Sequence, residues 1–77
     1  MKFIKNLLRY DTDKAAIIAT FNNTVALYKT ENGNWFTYEE TTNNFKARSE
    51  DEAVTLLEEY GRYELLEEHF SDRIKDA

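Results

Sequence analysis

The chain has no cysteine, no proline and only two glycines in 77 residues. Without cysteine there is neither a disulfide framework nor a thiolate metal site. That absence fits a reducing cytosol. With no proline present, Gly33 and Gly61 mark the clearest breaks. Two isolated glycines make no phosphate-binding loop. No apolar run approaches the roughly 20 residues that a membrane-spanning helix needs. The N-terminal MKFIKNLLRY is interrupted by Lys2, Lys5 and Arg9, unlike the unbroken apolar core of a secretory signal. The expectation is a cytoplasmic protein with no membrane partner.

What is present is enough for one folded domain over residues 1–77. Apolar residues make up 42% and aromatics 14%, which suits a packed core better than disorder. Charge is unevenly placed. Residues 1–49 hold seven Lys/Arg and five Asp/Glu, net +2; residues 50–77 hold three and ten, net −7. An asymmetry of this kind bears on partners rather than on fold.

The hydrophobic pattern changes character near residue 49. Residues 1–48 read as mainly β. Asn32-Gly33 lies between TVALYKTE and NWFTYEE, and Asn-Gly suits a two-residue type I′ hairpin. That turn sets Leu27 against Tyr38 and Lys29 against Phe36. Val25, Leu27, Phe36 and Tyr38 then share a core face, and Tyr28, Thr30 and Trp35 share the other. AAIIATF reads as a further strand, joined through a tight turn at Asn22-Asn23. MKFIKNLLRY is a strand candidate, and NFKARS either a last strand or a connector.

Residues 49–75 read as helical. Ser49 and Glu52 match a capping box. Ala53, Leu56, Leu57 and Tyr60 follow at helical spacing, and Gly61 stands where a left-handed residue ends a helix. Tyr63, Leu66, Phe70 and Ile74 mark a second helix, shorter or frayed at its end. The expected fold is α+β: a small antiparallel sheet of three to four strands followed by two helices packed on it.

Opposite the apolar stripes lie Asp51, Glu58 and Glu59 on the first helix, and Glu64, Glu67 and Glu68 on the second. Few Lys or Arg stand four residues from these acids, and Glu64 and Glu68 form a like-charged i,i+4 pair, which weakens a helix. Two readings stand side by side: a solvated helix face, or an acidic docking surface. In the docking reading, Tyr28 and Trp35 are the aromatic anchors beside the six acids.

Nothing marks an enzyme. His69 is the single histidine, with no orienting carboxylate among Glu67 and Glu68 at helical spacing, and reads as a surface residue. Asp11 and Asp13 in YDTDKA lack the glycine and distal glutamate of a calcium loop, and read as a capped turn through Ala15. No metal and no cofactor is expected. A nucleic-acid-binding sheet built from Lys2, Lys5, Arg9, Lys14, Lys29, Lys46 and Arg48 with Trp35, Phe36 and Tyr38 is the weaker alternative, because the cations are dispersed and the net charge is negative.

RYDTDKA, LYKT before GNWF, and SEDEAVTLLEEYGRYELLEEHF together resemble a group of small bacterial proteins found in chromosomes, phages and integrative elements. The shared pattern runs through Arg9-Tyr10-Asp11-Thr12 with Ala15, Tyr28-Lys29-Thr30, Gly33-Asn34-Trp35-Phe36, Ser49, Glu52, Ala53 and Leu66-Glu67-Glu68. The glycine-rich loop that such chains often carry between hairpin and helix is replaced here by ETTNNFKARS. The resemblance implies a fold and an association with mobile DNA, not an activity. By analogy with anti-CRISPR and anti-restriction inhibitors, it implies a partner with a basic groove, such as a CRISPR effector or another nucleic-acid-handling protein. A homodimer formed through a strand edge or the Tyr28/Trp35 face is the alternative partner.

Overall fold

The computed structural model describes residues 1–77 as an α+β fold in three layers. A hairpin of β1 (Lys2–Lys5) and β2 (Leu8–Asp11) comes first. A four-stranded antiparallel sheet follows, ordered β3 (Ala16–Phe21), β4 (Val25–Lys29), β5 (Trp35–Glu39), β6 (Asn44–Arg48). Helices α1 (Glu50–Glu59) and α2 (Tyr63–Phe70) cover one face, and a 3-10 turn, Ser71–Arg73, ends the fold. The other sheet face is covered by the hairpin.

Each face holds its own core. On the helix side, Ala19, Phe21, Leu27 and Trp35 pack against Ala53, Leu57, Leu66 and Phe70. On the hairpin side, Tyr10 packs with Tyr28, Phe36 and Tyr38, supported by Phe3 and Phe45. The rings interlock: Phe3 stacks on Phe45 at 4.4 Å between centroids, and Tyr28 on Phe36 at 4.7 Å. Aromatic pairs of this kind add to what area burial alone contributes.

The β4–β5 register differs from the sequence expectation by one residue. Leu27 opposes Thr37, Tyr28 opposes Phe36, and Lys29 opposes Trp35. The cause lies in the turn. Gly33 is left-handed at φ 83, while Asn32 is not. The Gly33 N–H donates to the Thr30 carbonyl at 2.9 Å, and the Thr30 N–H donates to the Asn34 carbonyl at 2.8 Å. Glycine thus closes a three-residue loop, not a two-residue one. One extra residue turns every side chain of β5 to the opposite face. Trp35 therefore joins Leu27 under the helices, and Phe36 and Tyr38 face the hairpin.

The N-terminal strand candidate is instead a hairpin. Asn6 and Leu7 turn it, both left-handed at φ 52 and 64. Asparagine tolerates this conformation; for leucine it costs roughly 1–2 kcal/mol. Asn22 and Asn23, at φ 53 and 59, form the expected tight turn between β3 and β4. NFKARS supplies β6 as the last strand.

Both ends of α1 follow local rules. Ser49 and Glu52 form the capping box. At the other end Gly61 takes φ 65, its N–H donates to the Glu58 carbonyl at 3.1 Å, and the Arg62 N–H donates to the Leu57 carbonyl at 2.8 Å. This is a Schellman closure. It reverses the chain into α2, where the Arg62 guanidinium also donates to the Thr20 carbonyl at 2.7 Å.

Candidate protein-docking surface

The six acids singled out from the sequence are all exposed on the helical layer. Their surroundings are not equivalent. Asp51 is engaged: the Arg73 guanidinium donates to it at 2.9 Å and to Glu50 at 3.1 Å. These two hydrogen bonds, with Asp51 first, raise the Arg73 pKa. The first turn of α1 thus carries a cation brought from the end of the chain, which counting i+4 neighbours does not find. Glu52 is similarly occupied. The Ser49 N–H donates to its carboxylate, and Arg48 stands 3.5 Å away at i,i+4. Its pKa is lowered, chiefly by the Ser49 backbone hydrogen bond.

Glu58, Glu59, Glu64 and Glu67 have no Lys, Arg or His nitrogen within 4.0 Å, while Glu68 has only the Nε2 of His69, at 3.4 Å. The unpaired acidic surface is therefore the second half of α1 together with α2. It does not extend to the start of α1.

Tyr28 and Trp35 do not belong to this surface. They lie on opposite faces of the sheet, 8% and 3% exposed. Trp35 is enclosed by Phe70, stacked at 5.3 Å, and by the edge of His69 at 5.7 Å. Tyr28 is in the hairpin-side core, where burial raises its pKa, aided by the Glu40 charge. The one-residue register shift separates the two rings and makes both structural. His69 is corrected too: its side chain is only 15% exposed, against Trp35.

The sheet offers no open aromatic platform. Trp35, Phe36 and Tyr38 are buried between the layers, so these three rings are not open to base stacking. Asp11 is likewise structural. It is buried, its carboxylate accepts the Asp13 N–H at 3.0 Å, and its carbonyl accepts the N–H groups of Lys14 and Ala15. No group of three or more His, Asp or Glu side chains is placed to hold a metal ion.

Sequence reasoning missed the hairpin tip. Ile4, Leu7 and Leu8 are exposed there beside Lys5 and Arg9. The sequence signal was the pair Asn6-Leu7 inside an apolar stretch. No helix is long and apolar enough to cross a membrane. No protein-family model matches the chain, and neither a curated protein nor a solved structure matches it.

Proposed function

We propose that the chain is a non-enzymatic inhibitor that docks the acidic surface of α1 and α2 into the basic groove of a nucleic-acid-handling protein. The partner class is a CRISPR effector or restriction enzyme of a bacterial host, and the carboxylates take positions that nucleic-acid phosphates otherwise fill. The observation that carries this reading is that Glu58, Glu59, Glu64 and Glu67 are exposed and unpaired on two adjacent helices. An ordinary solvated helix mixes signs, because unlike pairs stabilise it and like pairs weaken it. Here the cations go elsewhere, Arg73 to the first turn of α1 and Arg62 to the Thr20 carbonyl. Opposite charge speeds encounter and fixes orientation more than it adds affinity.

The test is a cleavage assay with purified effector ribonucleoproteins and restriction enzymes, each with its nucleic-acid substrate. The expected result is inhibition relieved by added nucleic acid and weakened by raised salt. Inhibition that persists unchanged in Glu58→Lys/Glu59→Lys, or its absence across both enzyme classes, sets this reading aside.

A further inference from the structure

The β1–β2 hairpin crosses the sheet instead of running along it. Its open end, at Met1, Thr12 and Asp13, lies beside Ile17 and Tyr28 of β3 and β4. Its middle, at Phe3 and Tyr10, stacks on Phe45, Tyr38 and Phe36 of β5 and β6. Followed in that direction, the turn points past β6, one of the two edge strands. Leu7 at this tip is 95% exposed and Ile4 68%. Leu7 also holds φ 64, which glycine or asparagine would adopt with less strain. A bulky apolar side chain kept in water by a strained turn is an outlier of the kind that collects at binding sites. Lys5 and Arg9 flank it, and residues 1–10 contain no carboxylate side chain.

The opposite side of the molecule has the complementary chemistry. Between α1, α2 and the 3-10 turn runs an open cleft with Val54, Leu66, Phe70 and Ile74 on its walls. Asp51, Glu58, Arg73 and Lys75 form the rim. Arg73 is held by Glu50 and Asp51, which leaves Lys75 as the only free rim cation. Glu67, three residues before Phe70, adds charge beside the cleft.

We propose that the hairpin tip of one copy inserts into the α1/α2 cleft of a second copy. Leu7 and Ile4 meet Val54 and Ile74, while Lys5 and Arg9 approach Glu58 and Glu67. Charge complementarity selects this occupant: a tip whose charged side chains are Lys5 and Arg9, the latter sharing a cleft with Asp11 and Glu31, meets a helical half of net −7. Finger and cleft lie on opposite sides of the sheet, so the contact forms between copies. It is heterologous, and it repeats head to tail.

The test is sedimentation velocity on the purified full-length chain over a concentration series, at low and high salt. Wild type is expected to gain mass with concentration, and less so at high salt. Leu7→Gly keeps the turn and removes the finger, so it is expected to sediment as a monomer while melting no lower than wild type. Glu58→Lys/Glu67→Lys is also expected to be monomeric. A mixture of these two variants should give a discrete dimer that grows no further, because only one intact finger then meets one intact cleft. The proposal is overturned by wild type monomeric up to about millimolar concentration, by assembly that survives Leu7→Gly, or by a mixture that stays monomeric. It is also overturned if monomeric protein binds phosphatidylcholine/phosphatidylserine vesicles in a Leu7-dependent way without self-association. Should the double variant fail to fold, the Leu7→Gly comparison still decides. No partner enzyme is present, so failure here leaves the inhibitor reading untouched.

Discussion

Ser49 and Glu52 exchange hydrogen bonds across the start of α1. The Glu52 N–H donates to the Ser49 Oγ at 3.1 Å, and the Ser49 N–H donates to the Glu52 Oε1 at 2.9 Å. Two backbone donors that α1 itself cannot satisfy are met this way. Ser49→Ala should therefore destabilise the fold by about 1 kcal/mol. Urea melts of the two proteins measure it, and an unchanged midpoint would show that the cap contributes nothing.

The same pair sets a pH dependence. The Ser49 N–H is the main cause of the lowered Glu52 pKa, with the Ser49 side chain and Arg48 adding to it. A carboxyl whose folded pKa is depressed contributes stability above its unfolded pKa and loses it as pH falls through the folded one. Glu52→Gln keeps the acceptor and removes the charge. Wild type should be the more stable protein at neutral pH, and the gap should close at acidic pH, below the ordinary glutamate range. Melts of both proteins across that range check the sign; a gap that widens on acidification contradicts it.

These local devices were legible in the sequence because they need only neighbours: a serine with a glutamate three residues on, and a glycine after the last turn. The β4–β5 register was not. Asn32-Gly33 correctly marks a hairpin, but the dipeptide serves two loop lengths, and the choice between them decides which face Trp35 joins. The hairpin at Asn6-Leu7 was hidden because leucine is a poor left-handed residue. Arg73 escaped notice for a different reason: it reaches Glu50 across 23 residues of sequence. The helix faces follow periodicity except at their ends. Tyr63 and Ile74, both expected in the apolar stripe of α2, are exposed, and α2 stops at Phe70, leaving Ile74 extended beyond the 3-10 turn, whereas Leu66 and Phe70 are buried.

Leu57 is fully buried between α1 and the sheet. Leu57→Ala leaves a cavity in the core that also holds Phe21, Leu27 and Trp35. Its cost should fall within about 2–5 kcal/mol, the range for large-to-small core changes. Trp35, the only tryptophan, belongs to that core and reports the melt by its fluorescence. A loss the size of a surface substitution would mean that the helices do not pack on this sheet face.

Gly61 tests the turn between the helices. It holds φ 65, and an added Cβ would have no heavy atom within 4 Å. Gly61→Ala therefore introduces backbone strain without a clash, which should cost roughly 1–2 kcal/mol. Gly61→Asn should cost less, because asparagine visits the left-handed region more readily. Equal melts for glycine, asparagine and alanine at this position would remove the left-handed closure from the account of how α2 is set against α1.

The acidic surface gives the last prediction. Glu58 and Glu59 are exposed and make no ion pair, so their reversal to lysine removes no intramolecular attraction. Exposed changes away from special features usually alter stability by less than about 0.5 kcal/mol. Glu58→Lys/Glu59→Lys should thus melt close to wild type while its binding to a basic partner weakens, mostly through a slower association rate. Wild-type association should itself slow as salt rises, because screening acts over about 8–10 Å at ordinary ionic strength. Lys2→Glu/Lys5→Glu reverses charge on the hairpin, on the far side of the sheet, and is the matched control. At concentrations where the chain is monomeric it should leave partner association intact. Surface-plasmon measurements on wild type and the two variants separate the cases. If both reversals slow association alike, or neither does, the carboxylates of α1 and α2 are a solvated face and do not dock.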